Sequence, residues 1–178
     1  MNLLISPHQD DETLFAAYTC LRYKPLVLVC LRSFIEADWP NGPTWEVREK
    51  ETAAACEILG CNYAQLTMSD NAPDWAALKT ELENIEEKPE HVFAPLPEPD
   101  GHLHHNAIGE IAREVFPDVK FYSTYTRANG KTTTGEQVTP EEGWEALKRA
   151  AMACYVSQAT HPMTQAAFNE WPIDEYLS

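Results

Sequence analysis

The sequence predicts an α/β domain built on a mainly parallel sheet. Two observations lead there. Short apolar runs recur along the 178 residues, and most are followed by a stretch with helical periodicity. The clearest run, Pro25–Leu31 (PLVLVCL), is continuous rather than alternating, as expected of a strand covered on both faces. Strands alternating with helices imply βαβ units, and one domain over residues 1–178 is the expected count.

The elements follow in order. Asn2–Ser6 is a short apolar run closed by Pro7, which predicts a buried strand. Glu12–Arg22 reads as a helix with an acidic start, and Pro25–Leu31 as the second strand. Ser33–Pro43 is loop, broken by Pro40, Gly42 and Pro43. Thr44 is placed to cap a helix in which Val47, Ala54, Ala55 and Ile58 repeat at helical spacing until Gly60. Asn62–Leu66 is a third strand, and Trp75–Glu87 a helix with Leu78, Leu82 and Ile85 on one stripe. Its four glutamates form a solvated face. His91–Ala94 is a fourth strand, ended by three prolines. His105–Phe116 is a helix with Ile108, Ile111, Ala112 and Val115 inward. Lys120–Thr124 is a strand, Arg127–Thr139 a polar loop or hairpin, and Glu141–Cys154 the last clear helix. The tail Thr160–Ser178 carries Phe168, Trp171 and Tyr176 and is expected to pack down.

Composition narrows the function classes. With 13 Lys+Arg against 28 Asp+Glu the net charge is −15, and the cations are scattered. Nucleic-acid backbones and anionic membrane surfaces both need clustered cations, so neither is an expected partner. No apolar run approaches the roughly 18 residues of a membrane span. The five cysteines are odd in number and include no Cys-x-x-Cys pair. This points to reduced thiols and a cytoplasmic protein, and the N-terminus shows no signal-peptide pattern. Cys30 and Cys56 read as core.

In parallel sheets ligands bind beyond the carboxyl ends of the strands. Two loops there hold four of the six histidines: Pro7-His8-Gln9-Asp10-Asp11-Glu12 after the first strand and Asp100-Gly101-His102-Leu103-His104-His105 after the fourth. Imidazole and carboxylate together suit zinc, and a catalytic zinc takes about three protein ligands with one open position. His8 and Asp11, three apart on a turn, can face one point, and His105 can complete the set. Asp10 and His102 are then left beside it as acid–base groups, the parts of a metal-assisted hydrolase. Two blander readings compete. The three acids can simply stabilise a helix start, and a histidine in a loop can be solvated. His91 and His161 are given a structural role.

These residues resemble a known family. Ser-Pro-His8-Gln-Asp10-Asp11-Glu12 looks like the HPDDE-type motif of the LmbE/PIG-L de-N-acetylases. Arg48-x-x-Glu51-x-x-x-Ala55-x-x-x-Leu59-Gly60 is similar to the family's R-x-x-E helix, and Leu66 to Asp70 to its Asp-bearing loop. His102-x-x-His105 with Asn106-Ala-Ile-Gly109 resembles the H-x-D-H segment, and Lys148 with Tyr155-x-Ser157-Gln158 the closing element. The resemblance implies a Rossmann-like three-layer sandwich and a zinc-dependent deacetylase acting on an N-acetylated amino-sugar-type small molecule. It implies that His8, Asp11 and His105 hold zinc, with Fe2+ or another divalent metal as alternatives. Asp10 would be the general base toward a metal-activated water. His102 would stabilise the tetrahedral oxygen or protonate the leaving amine, and Arg48 and Asp70 would contact the sugar.

Three departures stand out. Gln9 replaces the usual Pro, and Ala16 and Ala17 stand where a Gly pair often follows. His104 stands where the family has Asp between the two histidines. An imidazole there lowers the proton affinity of His102, where a carboxylate would raise it. That exchange motivates a rival reading, a degenerate member that binds a ligand without hydrolysing it. A hydrolase of a different small amide and an acidic interaction protein are further rivals. A homo-oligomer is left open.

Overall fold

The computed structural model describes residues 1–32, 42–126, 130–161 and 164–178. The loop expected at 33–43 and the hairpin expected after 127 fall partly outside these residues. The order along the chain is β1 (Asn2–Ser6), α1 (Asp11–Tyr23), β2 (Leu26–Arg32), α2 (Trp45–Leu59), β3 (Asn62–Ser69), α3 (Trp75–Glu83), β4 (His91–Pro95), α4 (Leu103–Val115) and β5 (Val119–Tyr122). There follow the short strands β6 (Tyr125–Thr126), β7 (Gly130–Lys131) and β8 (Glu136–Gln137), then α5 (Trp144–Met152), α6 (Val156–Ala159), α7 (Gln165–Asn169) and β9 (Tyr176–Leu177).

The main sheet runs β3-β2-β1-β4-β5-β9-β8. Its first five strands are parallel, and β9 and β8 extend it antiparallel at one edge. Both faces are covered, which makes three layers. On one face Leu4, Val27, Val29 and Phe93 pack with buried residues of α1, α2 and α5. On the other Leu3, Ile5, Leu28, Cys30, Val92 and Ala94 pack with α3 and α4. Leu3, Leu4 and Ile5 point alternately to the two cores, as the period of a strand requires. The α/β sandwich expected from the sequence is the one observed.

Several boundaries shift for physical reasons. β3 runs on to Ser69, beyond the expected Leu66, because β2 continues to pair with it past a register shift between Val29 and Leu31. α3 stops at Glu83, with Asn84 as its C-cap. The inward face of α2 follows the expected repeat only at Ala55 and Ile58. Val47 and Ala54 are exposed, and Arg48, Thr52, Ala55, Cys56 and Leu59 are buried. An apolar count cannot find that face, because its first member is a guanidinium held by a carboxylate on another element.

α1 bends at Ala16, whose backbone leaves the helical region at φ −139°, and both Ala16 and Ala17 are fully buried. The two alanines that stand in place of the glycine pair are thus small enough for close packing here. The tail packs down through β9 and through a buried ion pair between Lys148 of α5 and Glu175 at 2.8 Å. Glu175 also accepts from the Tyr18 N–H, at 3.0 and 2.9 Å, so the tail is tied to α1. Among the described residues no helix is long and apolar enough to cross a membrane.

Candidate active site and metal centre

β1 is paired with β2 on one side and β4 on the other, so the chain reverses its course across the sheet there. The crevice outside the carboxyl ends of β1 and β4 is therefore the topological switch point, where such sheets bind ligands. Both histidine-bearing turns leave these two strands. The first is anchored by the Leu31 N–H, which donates to the Pro7 carbonyl at 3.0 Å, and by Ser6 Oγ, which donates to the His8 carbonyl at 2.8 Å. The second is anchored by Asn106. Its amide donates to the Glu98 carbonyl at 2.8 Å and its oxygen accepts from the Glu98 N–H at 3.0 Å.

The acids at the start of α1 do more than stabilise a helix end. Asp10 sits at φ 127°, a region that residues with a side chain rarely adopt, and its carboxylate makes no capping bond. Such a backbone costs on the order of 1–3 kcal/mol and persists where the surroundings enforce it. Arg48 enforces it here. Its Nη2 donates to Asp10 Oδ2 at 3.1 Å and to the Gln9 carbonyl. Glu12 turns the other way and accepts from the Asp10 N–H, from Thr13 Oγ1 and from the Tyr155 hydroxyl. In the closing element Glu51 receives both the N–H and the hydroxyl of Ser157, at 2.9 and 2.6 Å.

Asp11 is the hub. Its Oδ2 accepts the His8 N–H at 2.9 Å and lies 3.1 Å from His8 Nδ1 and 3.2 Å from His105 Nε2. His105 projects from the first turn of α4, its side chain 1% exposed, and neither ring nitrogen has a hydrogen-bond partner. The Asp11 carboxylate at 3.2 Å is an ion-pair contact that leaves the ring short of good hydrogen-bond geometry. An unsatisfied buried polar group costs about 1–3 kcal/mol. His8, Asp11 and His105 offer three donor atoms within 4.8 Å of one another. Two imidazoles and a carboxylate converging on one point, with orphaned buried nitrogens, fit a divalent cation.

His102 and His104 flank this set. His102 is the N-cap of α4, and its Nδ1 accepts from the His104 N–H at 3.3 Å. Its Nε2 is then the nitrogen carrying hydrogen. His104 Nδ1 meets His8 Nε2 at 2.8 Å. Asp70, after β3, stands close enough to His104 for its charge to favour the protonated ring, and the Trp75 ring is 5.9 Å from it. Tyr125 lies against both His102 and His105, with Trp171 and Phe15 behind it. Sequence reasoning misses Tyr125, since nothing in its local sequence marks it as a neighbour of a histidine, whereas Trp171 packs down as expected of the tail.

The electrostatics separate the two aspartates. Burial pushes Asp10 well above the usual carboxylate range, partly offset by Arg48 and reinforced by Asp11 and Glu12. Burial also acts on Asp11, but His105 and His8 together hold it well below that range. His102 is lowered to about 3, first by burial and then by the charges of His8, His105 and His104. His104 is lowered to about 4 by burial and His8, against the pull of Asp70. The direction expected for His102 beside a histidine is the one found.

Residues 3–116 match the family model described as PIG-L, GlcNAc-PI de-N-acetylase. The chain belongs to the PIG-L family. Several solved structures share the PIG-L fold. A triple mutant of the deacetylase Orf2 from the teicoplanin biosynthetic pathway superposes with a TM-score of 0.75 at 18% identity, covering 95% of this chain and 88% of that one. GalB, the 4-carboxy-2-hydroxymuconate hydratase of Pseudomonas putida KT2440, gives 0.69 at 16% identity, covering 99% and 94%. The conserved protein TT1542 of Thermus thermophilus gives 0.65 at 24% identity, covering 93% and 83%. At these identities the likeness bears on the fold. No curated protein matches the sequence.

Proposed function

We propose that this PIG-L protein is a metal-dependent deacetylase that releases the acyl group of an N-acetylated, amino-sugar-type small molecule. Membership in a family described by a de-N-acetylase supports the reaction class. The observation that carries the metal is His105, buried with both ring nitrogens unpartnered and one of them 3.2 Å from Asp11. His8, Asp11 and His105 would hold the cation, with Zn2+ first and Fe2+ or another divalent ion as alternatives.

Bound there, such an ion supplies Lewis acidity, lowering the pKa of water from about 15.7 to about 7 and polarising the acyl oxygen. The chain's own residues do the rest. Asp10 accepts the proton of the attacking water. Its raised proton affinity suits a base that must hold that proton and pass it on. Arg48 fixes the Asp10 carboxylate in place. His102 Nε2–H donates to the oxygen that gains charge as the carbonyl carbon becomes tetrahedral, or to the departing amine. Arg48 and Asp70 are the residues proposed to contact the sugar. The net charge and the absence of clustered cations favour a small molecule over a nucleic acid.

The test is acetate release from a panel of N-acetylated amino sugars, with chelator-stripped and Zn2+-loaded protein. Release that requires the loaded form supports the reading. Tight binding of the same sugars without release supports the ligand-binding module instead. Release only from non-sugar amides moves the substrate and keeps the chemistry.

A further inference from the structure

Three of the four imidazoles at the site face one another on its open side, and the inner donor set uses only one of them. The ring centroids of His8, His102 and His104 form a compact triangle, with sides of 5.2, 5.1 and 4.9 Å. Each ring offers one nitrogen, and the three nitrogens lie within 4.8 Å of one another. The closest pair, His8 Nε2 and His104 Nδ1, is 2.8 Å apart. Nitrogens around a tetrahedral ion, each at about 2.0–2.1 Å from it, stand about 3.3 Å from each other, so small ring rotations admit a cation. Asp11 and His105 are buried, whereas His8, His102 and His104 are half-buried, so this cluster lies outside the inner set.

We propose that His8, His102 and His104 form a second divalent-cation site that shares the His8 ring with the first. This rests on the reading of His8, Asp11 and His105 as the inner site. The two nitrogens of His8 make the sharing geometrically direct. Nδ1 faces Asp11 at 3.1 Å, and Nε2 faces His104. An all-imidazole set selects zinc, copper or nickel over magnesium or calcium, which take oxygen ligands. With the inner cation on Nδ1, the His8 ring proton stands on Nε2. The outer cation displaces that proton to solvent and leaves His8 as a bridging imidazolate, so one proton is released for each outer ion bound. To offer Nε2 to that ion, His102 shifts its ring proton from Nε2 to Nδ1 and gives up the bond from the His104 N–H, so outer occupancy and proton donation from Nε2 exclude each other.

The experiment titrates the chelator-stripped full chain with Zn2+. Bound metal per chain is read by equilibrium dialysis with elemental analysis, and proton release by an indicator in weak buffer. Wild type is expected to bind two Zn2+ per chain, the second more weakly and with release of a proton. His104→Ala and His102→Ala are each expected to saturate at one and to lose the second proton step. His104→Ala also removes the hydrogen-bond partner of His8, so its remaining ion binds about tenfold more weakly. Wild type saturating at one Zn2+, or either variant keeping a second, overturns the proposal. Asp11→Ala separates the two readings. Loss of the tight equivalent alone supports the inner assignment, whereas an unaltered tight equivalent refutes that assignment and leaves the outer site to be judged on the two histidine variants. Circular dichroism of each variant confirms that lost binding is not lost folding.

Discussion

Gly109→Ala tests whether close packing of α4 on the end of β4 sets the position of His105. The glycine lies one turn after His105 on the same helix. A Cβ added there stands 2.3 Å from the Pro95 carbonyl oxygen and 2.7 Å from Pro97 Cγ. The first obstacle is backbone, which cannot rotate away. The helix must retreat by roughly 1 Å to restore ordinary contact. Overpacking of this kind costs about 1–3 kcal/mol, and the unyielding neighbour puts it at the upper end. Alanine recovers about 1 kcal/mol through its helix propensity. The net loss is then about 1–2 kcal/mol, a fall in Tm of roughly 2–8 °C for a chain of this size. His105 moves with the helix. A displacement of about 1 Å in a catalytic constellation costs on the order of a hundredfold in rate. Urea denaturation of the metal-free protein measures the first effect. Zn2+ affinity and acetate release of the folded variant measure the second. A Gly109→Ala protein that is as stable as wild type and holds Zn2+ equally well refutes the idea that this contact positions the ligand.

Three further outcomes follow from other parts of the molecule. Asp10→Ala should abolish turnover yet keep the inner cation, whereas His105→Ala should lose that cation, both read by metal content alongside acetate release. Lys148→Met removes the ion-pair partner of the buried Glu175 carboxylate, leaving it the Tyr18 N–H, and should cost about 3–5 kcal/mol in denaturant melts. The double variant Lys148→Met, Glu175→Gln should recover most of that loss. Burial and then the charge of Lys148 lower Lys131 from its ordinary range to about 7. Between about pH 7 and 10 the unfolded chain therefore binds the proton at this site and the folded chain does not, so its contribution to stability rises with pH. The stability of wild type relative to Lys131→Met should grow as pH is raised from 7 to 9. A flat difference across that range would show that the buried amine stays charged.

The parallel core was legible because its strands are buried on both faces and therefore apolar without interruption, as in Leu26–Leu31. The edge was not. β8 and β9 are two residues each, and β9 is joined to β5 mainly by backbone bonds, as where the Phe121 and Ser178 backbones exchange bonds at 2.7 and 2.8 Å. Strands of two residues are too short to carry a periodicity, even where a side chain adds to the pairing, as Ser178 Oγ does at the Phe121 carbonyl. α2 was legible as a helix but not in its orientation. Its buried face includes Arg48, whose position is set by Asp10, 38 residues away. A charge is buried only with its partner, and no local pattern names a partner at that distance.

The same division explains what was visible of the site. The inner donor set lies within two short turns, and strand order alone brings those turns together, so a rule about sheet topology was enough to join His8 to His105. The contact between His8 Nε2 and His104 Nδ1 is of another kind. It depends on which way a ring points after α4 has begun at Leu103, two residues earlier than the apolar pattern suggests, with His102 as the cap. That earlier start turns His104 from a loop residue into a helical one. Side chains in a helix's first turn lean toward its N-terminus, which here means toward β1 and His8. Had α4 begun at His105, His104 would be free to face solvent. The residue standing in the family's aspartate position thus becomes a neighbour of the inner ligand through a small shift of one helix boundary.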